Sequence, residues 1–82
     1  MYESIIPLNR VPEGAIARVT GLFTTGAMRR RLQYIGLIEG TDIECLQKSP
    51  AGDPIAYYIR GAVIALRSVD SGNILVRCNQ AV

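Results

Sequence analysis

Thr24-Thr25-Gly26-Ala27-Met28-Arg29-Arg30-Arg31-Leu32-Gln33-Tyr34-Ile35-Gly36-Leu37-Ile38-Glu39-Gly40 is the stretch that decides the fold. Its two threonines offer N-cap oxygens to the first free amides of a helix. Met28, Leu32 and Ile35 then fall at i, i+4 and i+7, which places them on one helical face. Gly36 stands where a left-handed residue closes a helix, and Gly40 begins the return to extended chain. A helix of roughly three turns is unstable alone in water, so its apolar face must lie on something else. The spacing predicts that Met28, Leu32 and Ile35 plug one end of a β structure.

On both sides of this helix the hydrophobic period is two. Upstream, Pro7 and Pro12 oppose regular structure, so the first dozen residues read as an irregular entry. Glu13-Gly14 turns into a first strand from Ala15 to Thr20, closed by Gly21. Downstream, Ile43 and Cys45 share one strand face, with Glu44 and Leu46 on the other. Ser49-Pro50-Ala51-Gly52-Asp53-Pro54 is a dense turn cluster. Ile55, Tyr57 and Ile59 alternate along the next strand, Arg60-Gly61 allows a tight reversal, and Ile64 and Leu66 continue the alternation. Ser68 to Gly72 is a polar corner with one turn of helix. In the last strand Ile74, Val76 and Cys78 point inward, and Leu75 and Arg77 point away. The sum is a mainly β domain with one short helix: a small, partly open β-barrel of about five strands, because closure removes exposed edges.

The bulk composition agrees with one compact core. The chain has 82 residues, 49% hydrophobic against 20% charged, which favours a single ordered domain over residues 1–82. No apolar run approaches the ~18–20 residues of a membrane helix. The start, MYESIIPLNR, lacks the pattern of a secretory signal, so a cytoplasmic location is the expectation. The formal charge is +2, short of the footprint of a general nucleic-acid binder. Of the nine basic residues only Lys48 is a lysine; arginine suits packed and interfacial positions better. Cys45 and Cys78 are the two cysteines, too few for a disulfide scaffold and wrongly spaced for a zinc knuckle. Both read as buried thiols.

Three stretches resemble the FeoA family of ferrous iron transport accessory proteins. The first is Arg31-Leu32-Gln33-Tyr34-Ile35-Gly36-Leu37-Ile38-Glu39-Gly40, similar to the family's helix-to-strand signature. The second is Gly52-Asp53-Pro54-Ile55, similar to its hairpin loop. The third is Ala65-Leu66-Arg67 followed by Ile74 and Val76. Glu39 stands where the family usually has proline, and Ser71 where it has a small apolar residue. The resemblance implies an SH3-like barrel in the cytoplasm of a bacterium, acting beside the membrane ferrous iron transporter FeoB, which carries a cytosolic GTPase domain. It also implies structural roles for Arg31, Leu32, Gly36, Gly40, Gly52, Asp53, Pro54, Leu66 and Arg67. The barrel is similar as well to the small C-terminal domain of metal-dependent repressors.

Chemistry-bearing constellations are few. With no histidine, Ser-His and Cys-His catalysis is impossible, and neither a carboxylate dyad nor a phosphate-cradling glycine loop is present. An enzyme is not expected, nor a cofactor. Asp42 and Glu44 share a strand face and offer at most a weak hold on a hard cation, while ferrous iron ordinarily takes imidazole or thiolate; no metal site is expected. Arg29-Arg30-Arg31 reads either as a solvated helix face or as a contact surface. Each step turns the helix by ~100°, so the three cannot serve one ligand. Arg31 is expected to pair with a carboxylate across the loop, leaving Arg29 and Arg30 for a partner. Tyr57 and Tyr58 face opposite sides of a strand. Tyr57 goes inside, and Tyr58 lies outside with Arg60, either shielding the sheet or belonging to a groove that receives an extended peptide. The expected function is therefore an interaction module on the cytosolic side of FeoB, with contact residues Arg29, Arg30, Tyr58 and Arg60. Membrane association is expected only through that partner, and self-association through the groove is open. An RNA-binding barrel and a regulatory domain like that of the repressors are the alternatives; nucleic acid is the less expected partner.

Overall fold

The computed structural model describes residues 4–78. Within them, six antiparallel strands form one sheet in the order β1-β6-β2-β3-β4-β5. The strands are β1 (Ser4–Pro7), β2 (Ile16–Leu22), β3 (Asp42–Lys48), β4 (Ile55–Ile59), β5 (Ala62–Leu66) and β6 (Ile74–Cys78). Helix α1 (Gly26–Tyr34) joins β2 to β3, and the single turn α2 (Ser68–Ser71) joins β5 to β6. The sheet wraps one core but does not close, so β1 and β5 are its edges among the described residues. The expectation of one domain over 1–82 extends into residues 1–3 and 79–82, which lie outside the described part.

The count of about five strands is corrected to six. β1 occupies the segment read as irregular and pairs with β6, Ser4 opposite Cys78 through Pro7 opposite Leu75. Proline lacks an amide to donate, but at the end of an edge strand that loss is harmless. β2 also runs two residues further than expected, to Leu22, past a register shift between Val19 and Gly21.

The period-two reading otherwise matches the core. Ala17, Val19, Ile43, Cys45, Ile55, Tyr57, Ile59, Leu66, Ile74, Val76 and Cys78 are all buried. Leu32 and Leu37 complete that core from the helix side, and Met28 and Ile35 pack partly buried against it. Thr25 occupies the N-cap position of α1, but neither threonine caps it: no side-chain bond is made at the cap, and the Thr24 hydroxyl is buried without a partner among the described residues. At the other end Gly36 adopts φ +91° and its amide reaches the Gln33 carbonyl, as a left-handed helix stop requires.

Two connections fix the hairpins. Arg60 and Gly61 both take positive φ, 48° and 87°, which is the two-residue turn whose twist matches a β-hairpin. It sets Ile59 opposite Ala62 and Tyr58 opposite Val63. In the β3–β4 loop, the Asp53 carboxylate accepts from the Ser68 amide at 2.5 Å and the Ser68 hydroxyl at 3.2 Å, while the Asp53 carbonyl takes the Ser49 hydroxyl. The loop thus caps α2 from 15 residues away, a structural role for Asp53. Arg67 lies beside it in an ion pair with Asp70 at 3.0 Å.

Candidate interaction groove

The register across β2, β3 and β4 builds the site. Ile16 sits opposite Glu44, and Glu44 sits opposite Tyr58, so the three project outward in one row. The β2–β3 ladder covers only Ile16 to Arg18, and the chain beyond it opens a groove of about 470 Å³. Gly40, Thr41, Asp42, Arg60 and Gly61 form its other walls. Thr41 fixes the loop that forms one wall: its hydroxyl donates to the Gly36 carbonyl at 2.9 Å.

Arg60 connects this groove to α1. Its left-handed backbone turns the side chain back across Gly36, where an added Cβ would lie 2.3 Å from Arg60 Cδ. The positive backbone angle is what requires Gly36, and the arginine stem lies over the space that its missing side chain leaves. Tyr58 is 45% exposed, in contrast to the fully buried Tyr57.

The four expected contact residues do not gather. Tyr58 and Arg60 line the groove. Arg29 and Arg30 lie on α1 and do not line it, and Arg29 donates to the Leu22 carbonyl at 3.1 Å, tying the helix to the end of β2. The carboxylate partner expected for Arg31 is absent among the described residues: Arg31 is exposed and makes no ion pair there. The acidic residues it needed are used elsewhere or lie apart from it. Asp42, once considered for a cation, instead holds Arg18 across the β2–β3 pair at 3.0 Å, and that carboxylate raises the Arg18 pKa by hydrogen bond and charge. Among the described residues no three His, Cys, Asp or Glu side chains come together. Cys45 and Cys78 are buried free thiols, and burial pushes Cys45 up from the ordinary thiol value.

Ile16 and Val63 were not singled out from the sequence, and Glu44 was weighed only for a cation, since only strand register brings the three beside Tyr58. Tyr34 was not singled out either. It is 94% exposed at the end of α1, with Arg30 and Arg31 one turn before it.

An open SH3-like β-barrel with an outward groove and an arginine-bearing helix is the class of protein that this fold defines. By comparison with known families, residues 6–78 match the FeoA domain; the chain belongs to that family. A FeoA-like protein from Clostridium acetobutylicum is 33% identical, with a TM-score of 0.84 over 100% of this chain and 94% of that one. FeoA of Stenotrophomonas maltophilia, solved with zinc, is 25% identical, with a TM-score of 0.75 over 84% and 86%. That protein is described as a prokaryotic SH3 domain protein and put forward as a bacterial ferrous iron transport activating factor. A manganese-dependent transcriptional repressor, 20% identical, matches with a TM-score of 0.78 over 95% of this chain and 44% of its own, which is a likeness of fold alone. None of the curated proteins matches the sequence.

Proposed function

We propose that the chain is a non-enzymatic accessory protein of ferrous iron uptake that acts through protein contact on the cytosolic side of the FeoB transporter. Family membership over residues 6–78 is the observation that carries this reading. The S. maltophilia relative supports it, since its proposed role is activation of ferrous iron transport. The groove beside Tyr58 and Arg60 supplies the physical means. It holds an exposed aromatic and a guanidinium with no ion pair among the described residues, both residue types that dominate binding energy at interfaces. Among the described residues no helix is long and apolar enough to cross a membrane, so the transporter is the expected link to the bilayer.

An amide-resolved NMR titration with the isolated cytosolic GTPase domain of the transporter tests the reading. Contiguous shifts across Tyr58, Arg60 and the neighbouring β3 residues are expected. Silence at several hundred micromolar, repeated with the transporter's other cytosolic segments, would remove FeoB as the partner.

A further inference from the structure

The outward face of β4 and β5 lacks the polar residues that a solvated sheet face carries. Antiparallel sheets with one face in water normally alternate apolar-in with polar-out. Here the outward positions are Ala56 and Tyr58 on β4 and Val63 and Ala65 on β5, while β3 sets Gln47 opposite Ala56 and Glu44 opposite Tyr58, with Leu46 at the register shift between Cys45 and Gln47. Ile16 continues the row from β2. Leu46, Tyr58, Val63 and Ile16 are 37%, 45%, 66% and 56% exposed. Further charges collect on the rest of the same face, where Arg18 of β2 pairs with Asp42 of β3 and lies opposite Arg77 of β6.

One charge interrupts the apolar half. Glu44 lies half-buried between Ile16 and Tyr58. Among the described residues its carboxylate has neither a hydrogen bond nor an ion pair. In water that costs nothing. Under a docked apolar surface it would leave a desolvated, unpaired charge, which is strongly unfavourable. Arg60 lines the same groove but makes no ion pair with Glu44, so a partner that covers this row is favoured by bringing a cation to Glu44.

We propose that the outward face of β4 and β5, continued across Glu44 to Ile16, is a docking surface for a partner segment with spaced apolar side chains and one arginine or lysine aimed at Glu44. This deepens the accessory reading above and rests on it for the identity of the partner. A second copy of the chain fits poorly. A two-fold contact centred on Tyr58 would bring Glu44 within ~10 Å of its own equivalent, since neighbouring strands lie ~5 Å apart. Two like charges would then share one desolvated interface.

The test pans a phage-displayed random-peptide library on the full chain, with counter-selection against Val63→Glu, whose exposed position lets the variant fold. Enriched peptides should combine spaced apolar residues with at least one arginine or lysine. Their affinity should fall roughly tenfold or more in Glu44→Gln, and further in Glu44→Lys. Two-dimensional NMR spectra of the variants establish that they are folded. Overturning results are peptides without a basic residue, binding that survives Glu44→Lys, or no peptide that distinguishes wild type from Val63→Glu. A concentration-dependent dimer in sedimentation, lost in Val63→Glu, assigns the face to a second copy and also overturns the proposal. Peptides that bind the face while no cytosolic transporter segment does would defeat the accessory reading and leave the docking face standing. A transporter segment that binds around Arg29 and Arg30 instead would do the reverse.

Discussion

The side chain of Arg60 crosses directly over Gly36, with Arg60 Cδ only 2.3 Å from where a Cβ on that glycine would sit. A helix stop and a hairpin turn, 24 positions apart in the chain, are thus fitted to each other beside the groove that Arg60 lines.

Gly36→Ala strains the backbone at φ +91° and displaces the arginine stem. The angle accounts for a loss of about 1 kcal/mol, while the flexible stem relieves the clash by swinging away. The variant should melt several degrees lower, and its amide shifts should spread from Gly36 to Tyr58 and Arg60. An unchanged Arg60 environment would show that the two residues are not coupled.

Asp53→Ala removes the acceptor for the Ser68 amide and hydroxyl. Loss of such a cap typically costs about 1 kcal/mol. Urea denaturation should show a lower midpoint with an unchanged slope, and Asp53→Asn should recover part of the loss.

Tyr57 has an alkaline signature. Burial pushes its phenol up to about 12, against an opposing pull from Ser71. The Ser71 hydroxyl itself turns to the carbonyls of Arg67 and Ser68, so the phenol has no hydrogen-bond partner among the described residues. The unfolded phenol ionises from about pH 10, before the folded one. The folded state therefore keeps its full advantage below pH 10 and loses it as the pH rises toward 12, at up to ~1.4 kcal/mol per pH unit. Tyr57→Phe should be close to neutral at pH 7, because it deletes an unpaired hydroxyl. Above pH 10 it should lose stability less steeply than wild type. Parallel stability curves for the two proteins across that range would contradict the burial of the phenol.

Cys45 and Cys78 should resist a thiol reagent in the native state. Both are buried, and the raised Cys45 pKa further lowers its thiolate fraction. Reaction should follow global unfolding in urea; fast labelling in buffer would indicate that β3 or β6 opens locally.

Local pattern made most of the fold legible. The alternation of Ile55, Tyr57 and Ile59 and of Ile74, Val76 and Cys78 names the buried face without help from the rest of the chain, because the strand period is two. Gly36 and Arg60-Gly61 likewise announce a helix stop and a tight turn through their backbone freedom. β1 was hidden because Pro7 argues against a strand, and only its place at the sheet edge removes the objection.

What sequence alone determined was therefore the class of domain, its core and its punctuation, all set by neighbours within a turn or a strand. Tertiary structure decided the site. Asp42 goes to Arg18, Glu44 lies between Ile16 and Tyr58 with no ion pair among the described residues, Asp53 caps a helix turn 15 residues away, and Arg29 binds the end of β2 instead of lining the groove. Each of these depends on strand register or on contact between distant segments. Moving a register by one residue would turn every one of those strand side chains to the opposite face.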